Sequence, residues 1–249
     1  MCMGRKIYGI FVAGGSGTRM GSELPKQFLE FDGKPILQRT IEVFLEAVPD
    51  IKVITVLPRE HFETWKNLCA RNSFFQPQAL VAGGITRFQS VRAALEKVPD
   101  GAIVAIQDGV RPFVSTALIR SMLEKMDTCE ALIPGIPVSD TLRSTDPSVP
   151  DPDRSRTVAV QTPQIFLSEG IKKAYREPYR LNFTDDASVA AAAGMKVDIV
   201  PGERFNIKIT TPEDMVFGRA ILSMKRPCSW CSCSPSPILP FRRTGQGKS

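Results

Sequence analysis

Residues 7–28, IYGIFVAGGSGTRMGSELPKQF, constrain the fold of this chain more than any other stretch. Ile7 to Val12 is an apolar run with the length and the β-branched, aromatic content of a buried strand. It breaks at Ala13-Gly14-Gly15-Ser16-Gly17, small residues whose backbone can turn sharply and lie close to a ligand. Arg19 and Lys26 follow, with Pro25 fixing the chain just before the lysine. Backbone N–H groups of such a loop can face a polyphosphate while the two cations flank it. Two common phosphate loops are excluded. A P-loop needs Gly-Lys-Ser/Thr, which occurs only as Gly247-Lys248-Ser249 at the end of an aperiodic tail. A dinucleotide fingerprint needs glycine at position 20, where Met20 stands.

The pattern that follows alternates between strand and helix. Gly33-Lys34-Pro35 reads as a turn into a helix whose Ile36, Leu37, Thr40, Ile41, Phe44 and Leu45 share a face. Ile51 to Leu57 is a second buried-type strand, and Phe62, Trp65, Leu68 and Cys69 mark a helical core face. Ala79 to Ala82 is a short strand ending in Gly83-Gly84, and Thr86 to Lys97 a helix with Val91, Leu95 and Val98 inward. Ile103 to Ile106 is a fourth strand, leading into Asp108-Gly109-Val110-Arg111-Pro112; Ser115 caps the next helix. This alternation predicts an α/β, Rossmann-like fold, a mostly parallel twisted sheet with helices on both faces. Ligands in such folds sit beyond the carboxyl ends of strands. The loops at 13–19, 83–90 and 108–112 all fall there.

From 137 to 163 the pattern becomes polar, with a Pro- and Asp-rich centre at 146–153, and predicts a projecting β-arm of two strands. Such an arm cannot bury both faces alone, so packing against a partner chain is expected. Helices at 168–175 and after Thr184-Asp185-Asp186, a strand at 196–200 and a last helix at 212–224 complete the expected domain, residues 1–224. Residues 225–249, rich in Cys, Ser, Pro and basic residues, read as a disordered or non-functional tail; its Cys228, Cys231 and Cys233 lack a nearby fourth metal ligand.

Composition excludes several functions. The net charge of +6 rests on five tail cations without an acid, which leaves the body at +1 and argues against a nucleic-acid surface. A single histidine, His61, leaves Ser–His hydrolases and histidine metal sites without parts. No apolar run approaches the roughly 20 residues of a membrane span, and the N-terminus lacks a signal-peptide core, so a cytoplasmic protein is expected.

Gly14-Gly15-Ser16-Gly17-Thr18-Arg19-Met20 followed by Pro25-Lys26-Gln27 resembles the signature of nucleotidylyltransferases that activate small phosphates with an NTP. The resemblance, over about residues 6–222, is to the 2-C-methyl-D-erythritol 4-phosphate cytidylyltransferases, with ribitol-5-phosphate cytidylyltransferases next. It implies transfer of CMP from CTP to a sugar-alcohol phosphate with Mg²⁺ or another divalent cation. It assigns Arg19 and Lys26 to catalysis and Ala13 to Gly17, Gly83, Gly84, Arg87, Ser90 and Asp108 to CTP. Ile85 stands where some relatives carry an aspartate. Asp108 is also implied near substrate and metal, and Arg111, Thr141, Arg154, Thr184 and Lys208 hold the acceptor phosphate. In that family the arm crosses a homodimer, so Thr141 and Arg154 would serve the neighbour's site; Arg156, two residues on, is the alternative to Arg154.

The chemistry agrees with the residue types. A phosphate nucleophile has a second pKa of about 6, so it is anionic at neutral pH and needs no histidine base. What it needs is cancellation of negative charge as two anions meet. The motifs leave the ribitol acceptor open, and a non-catalytic nucleotide-binding module stands as a more distant alternative.

Overall fold

A computed structural model of the chain describes residues 4–15 and 24–225. Ser16, Gly17 and Arg19 of the glycine-rich loop, and the tail from 226 onward, lie outside the described residues. In chain order the elements are β1 (Ile7–Val12), β2 (Glu30–Phe31), β3 (Lys34–Pro35), α1 (Ile36–Ala47), β4 (Lys52–Leu57), α2 (Phe62–Arg71), β5 (Gln78–Ala82) and α3 (Arg87–Leu95). There follow β6 (Ile103–Asp108), α4 (Thr116–Lys125), β7 (Ala131–Pro137), β8 (Val158–Val160), β9 (Gln164–Leu167), α5 (Ser168–Ala174), α6 (Asp186–Ala192), β10 (Val197–Pro201) and α7 (Pro212–Lys225).

The main sheet runs β10-β7-β9-β6-β1-β4-β5, with β8 paired to β7. The pairs β1–β4, β1–β6, β4–β5 and β7–β10 are parallel, and β9 lies antiparallel between β6 and β7. The expected mostly parallel sheet is therefore present; β8 and β9 are reversed, and the sequence pattern does not disclose that β9 runs antiparallel inside the sheet.

Strand residues alternate between two cores, as the pleat requires. Phe11, Val53, Ile103, Ala105 and Ile165 join Leu37, Phe44, Trp65, Ile119 and Met122 on the face covered by α1, α2 and α4. Ile10, Ile54, Val104, Ile106 and Phe166 join Phe88, Val91, Ile171 and Val189 under α3, α5 and α6. A third cluster, Phe31, Ile36, Val110, Phe113, Ile209 and Ile221, fixes α7 against the hairpin β2–β3. That hairpin turns through Asp32 and Gly33, both at positive φ (49° and 72°), the backbone demand that an Asp-Gly pair meets.

Buried Cys69 behaves as a core residue. Burial raises its thiol pKa to about 11, only partly opposed by a hydrogen bond from Gln78. His61 ends a short 3₁₀ turn and packs edge-on against Phe28.

The arm differs from its expected form. Residues 138–153 contain no strand, and only β8 pairs, antiparallel to the end of β7 (Gly135↔Val160, Pro137↔Val158). The reason is local competition from side chains. Asp151 accepts from the Ser144 N–H (2.8 Å) and pairs with Arg143, while Asp146 accepts from Ser148 N–H (2.9 Å) and Asp153 from Ser155 N–H (2.9 Å). Exposed residues with no face to bury gain more from these turns than from a ladder.

The β1 and β6 ends meet at Gly109, whose N–H donates to Val12 O (2.8 Å). A Cβ there would lie 2.9 Å from both Ala13 Cβ and Leu37 Cδ1. Leucine can rotate away, but Ala13 is fixed to the backbone of the glycine-rich loop. We expect Gly109→Ala to cost about 1–3 kcal/mol of stability by overpacking, measured as the shift of the urea unfolding midpoint.

Candidate active site

Three loops at the carboxyl edge of the sheet enclose a cavity of about 460 Å³. Ala13, Gly14 and Gly15 enter it from β1, Gly84 to Arg87 with Ser90 from the β5–α3 junction, and Asp108 from β6; Lys26 and Lys208 close it.

The Pro25-Lys26-Gln27-Phe28 run explains how a lysine is held there. These residues form a 3₁₀ turn whose Gln27, 1% exposed, donates Nε2–H to Ala13 O (2.7 Å). Phe28 is fully buried and stacked on Trp65. The turn is thus pinned on both sides of the loop, and Lys26 faces the cavity. A Cβ on Gly15 would sit 3.6 Å from Lys26 Cε, so the two approach closely.

The β5–α3 loop is organised from the helix it precedes. Thr86 and Gln89 form a capping box at the start of α3. Gln89 Oε1 accepts from both Ile85 N–H (2.8 Å) and Thr86 N–H (3.2 Å). Ser90 Oγ accepts from Gly84 N–H (3.1 Å) and donates to Thr86 O (2.9 Å). Gly84 admits no side chain, because a Cβ would lie 2.4 Å from that of Gln89. Gly83 sits behind this loop, its hypothetical Cβ 3.0 Å from Ser90 Oγ, and does not line the cavity. Ile85 is 98% exposed at the rim.

Asp108 is the hub. It ends the fully buried strand β6, and its own N–H donates to Thr162 Oγ1 (3.1 Å). Its Oδ2 receives Lys208 Nζ (2.9 Å) and faces Arg111 Nε (3.4 Å), while Oδ1 faces Arg87 Nε (3.7 Å). Burial pushes the carboxyl pKa up, but Arg87, Lys208 and Arg111 together outweigh it and hold the group at about 2. Burial draws Arg111 below the usual arginine value, with Asp108 opposing. Arg87 is raised despite burial, chiefly by Asp186.

A second cavity, about 290 Å³, shares the wall formed by Arg87, Asp108 and Lys208. Arg111, Thr184, Asp185, Thr162 and Gln164 complete it. The antiparallel strand β9 puts Thr162 and Gln164 here, because a reversed strand starts at the edge where parallel ones end. Lys208 lies in an irregular segment anchored on both sides. Buried Asn206 donates Nδ2–H to Thr162 O (2.8 Å) and accepts from Arg111 Nη1 at its carbonyl (2.8 Å), and Ile209 N–H donates to Val110 O (2.9 Å).

Of the sequence-derived site residues, Lys26, Ala13 to Gly15, Gly84, Arg87, Ser90, Asp108, Arg111, Thr184 and Lys208 converge on the two cavities. Thr141 and Arg154 do not. Both are exposed on the arm and line neither cavity, Arg154 bonding to Ser139 O (3.1 Å). Gln27, Gln89, Thr162, Asn206 and Asp186 were not assigned to the site by sequence reading. Gln27 stood in the Pro25-Lys26-Gln27 signature without a role of its own, and Gln89 carried the Thr-x-x-Gln capping pattern.

The lowered pKa of Asp108 makes a pH test specific. A carboxyl at 3.8 unfolded and about 2 folded contributes stability above the first value and loses it as pH falls through the second. We expect Asp108→Asn to destabilise the chain by about 2 kcal/mol near neutrality. Urea unfolding across pH should show the gap to the parent closing between about pH 4 and about pH 2.

Residues 7–224 match the family model described as 2-C-methyl-D-erythritol 4-phosphate cytidylyltransferase. A Bacteroides thetaiotaomicron protein of that name is 45% identical over 214 residues, covering 86% of this chain and 98% of the relative. A Porphyromonas gingivalis protein of the same name is 44% identical, covering 89% and 100%. The 4-diphosphocytidyl-2C-methyl-D-erythritol synthase structure from Anaerococcus prevotii superposes with a TM-score of 0.75 at 28% identity, covering 88% of this chain and 97% of that one. The cytidylyltransferase structure from Thermus thermophilus gives 0.68 at 28%, covering 89% and 100%. With its glycine-rich loop, cation-ringed Asp108 and sheet order, this chain belongs to the 2-C-methyl-D-erythritol 4-phosphate cytidylyltransferase family.

Proposed function

We propose that the chain transfers CMP from CTP to 2-C-methyl-D-erythritol 4-phosphate, giving CDP-methylerythritol and pyrophosphate, a step in non-mevalonate isoprenoid precursor synthesis. The observation that carries this reading is the shared wall. Arg87, Asp108 and Lys208 border both cavities, so an acceptor phosphate in the smaller one can meet a triphosphate in the larger.

In this reading the larger cavity takes CTP. Ala13 to Gly17 offer backbone donors to the triphosphate, and Gly84, Arg87 and Ser90 form the base and ribose side, with Gly83 behind them. Ser90 and Gln89 hold that loop in place from α3. The acceptor phosphate occupies the smaller cavity, against Arg111, Thr184 and Lys208. One of its oxygens attacks the α-phosphorus of CTP, a P–O bond to pyrophosphate breaks, and pyrophosphate leaves. Charge accumulates on the equatorial oxygens at the transition state, and Lys26 and Arg19 stabilise it. No side chain needs to remove a proton, since the attacking phosphate is already an anion.

Among the described residues no cluster of three or more His, Cys, Asp or Glu could hold a metal alone. Mg²⁺ takes one or two carboxylates and completes its shell with phosphate oxygens and water. Asp108 fits the protein's part of that set. A divalent cation bound there with CTP would neutralise phosphate charge and orient the triphosphate.

The arm supports a homodimer in which each chain lends Thr141 and Arg154, or Arg156, to its partner's acceptor cavity. Nucleic acid and membrane have no part in this reading. Among the described residues no helix is long and apolar enough to cross a membrane, and we place the enzyme in the cytoplasm. The tail from 225 is assigned no role in the reaction.

Pyrophosphate release by the purified chain with CTP, Mg²⁺ and methylerythritol 4-phosphate should be rapid, with ribitol 5-phosphate much poorer. Turnover of ribitol phosphate alone would reassign the acceptor and leave the mechanism intact. Lys26→Ala should lower kcat by roughly 10²-fold or more while CTP still binds. Chelation of divalent cations should abolish turnover. An unchanged rate in either experiment would refute the roles given to lysine and metal.

A further inference from the structure

Arg87 stands at the wall between the two cavities, yet the groups that fix it lie behind that wall. Its Nη1 and Nη2 donate to Asp186 Oδ1 and Oδ2 at 2.7 and 2.6 Å, a two-pronged pair. Asp186 is 0% exposed. The hydroxyl of Tyr175, itself 2% exposed, donates to Asp186 Oδ1 at 2.6 Å. The Tyr175 ring stacks on Phe88, the residue after Arg87, with centroids 4.7 Å apart.

The start of α6 is also held from the sheet. Gln164 Nε2 donates to Asp185 Oδ2 (2.7 Å), and Gln164 Oε1 accepts from Ala187 N–H (2.9 Å). Asp186 sits between these two anchored positions, so β9 sets where its carboxylate can be.

Stability gives a weak reason for such a pair. Burying a carboxylate and a guanidinium costs several kcal/mol of desolvation, and apolar residues in their place are often equally stable. Geometry gives a better one. Two of the guanidinium's five N–H groups are committed to Asp186, which fixes the plane of the fork and leaves Nε facing Asp108 Oδ1 (3.7 Å) at the wall of both cavities. A long side chain free to change rotamer could not hold that orientation without an ordering cost at each turnover.

We infer that Asp186 and Tyr175 are positioning residues for CMP transfer, acting through Arg87 to hold its guanidinium at the junction of the nucleotide and acceptor cavities. The inference rests on reading those cavities as the two substrate sites.

The test is a double-mutant cycle read in kcat/KM, with unfolding curves collected in parallel. Asp186→Asn keeps shape and removes the charge; Arg87→Ala removes the residue it acts on. Asp186→Asn should lower kcat/KM about 10- to 100-fold at a temperature where the variant is folded. In the Arg87→Ala background the same change should cost almost nothing further. Tyr175→Phe retains the stacking on Phe88 and should give a smaller loss, roughly 3- to 10-fold, also absent in the Arg87→Ala background. If Asp186→Asn does not fold, the Tyr175→Phe cycle supplies the same readout.

Losses that multiply in the double variants would show that Asp186 and Tyr175 act independently of Arg87 and would overturn the proposal. So would an Asp186→Asn enzyme with unchanged kcat/KM. If Arg87→Ala itself is fully active, the assignment of the shared wall to the substrates fails, and the positioning role with it.

Discussion

A buried carboxylate among three cations is the constraint on which this structure depends. Asp108 ends the central strand β6 with its side chain almost out of water, a position that is tolerable only if the charge is met at short range. Lys208, Arg111 and Arg87 meet it from three different parts of the chain. Each cation has a second anchor: Arg111 on Asn206 O, Arg87 on Asp186, and Lys208 through the segment between Asn206 and Ile209. Local charge balance and global topology are therefore coupled. Losing Asp108 would leave three cations at this edge without their shared counter-charge.

In the proposed reaction the same network would let an enzyme with one histidine run a phosphoryl-type transfer. Its difficulty is the meeting of two anions, and the remedy is fixed positive charge placed before the substrates arrive. Cations held by buried carboxylates are preorganised, so little reorganisation is left for the reaction itself. The arrangement carries an excess of one positive charge over Asp108, Asp186, Arg87, Arg111 and Lys208, before Lys26 is counted. That excess suits phosphate ligands and would be wasteful in a purely structural ion-pair network.

Much of this was legible in the sequence. The strand–loop–lysine pattern at 7–28, the Gly83-Gly84 break and the Asp108-to-Pro112 run each sit where a period-2 segment gives way to a turn. Those local signals sufficed to place three loops at one sheet edge. Lys26 was visible from Pro25 and the glycines, though not the reason it stays put, which is Gln27 bonded to Ala13 O and Phe28 packed on Trp65. The arm was half legible. Its prolines and aspartates marked a departure from the core, but alternation at 138–143 suggested a strand where none forms, ahead of the carboxylate-capped turns that begin at Ser144.

The sequence alone determined the family, the α/β alternation and the glycine-rich loop after β1, because these depend on spacing within a few turns of chain. Tertiary structure decided the rest. Only it reverses β9, bringing Thr162 to the Asp108 N–H, and only it sets Asp186 behind Arg87, 99 residues away. Pairings of that kind are fixed by which elements share a buried wall, a property of the assembled layers that no local pattern encodes.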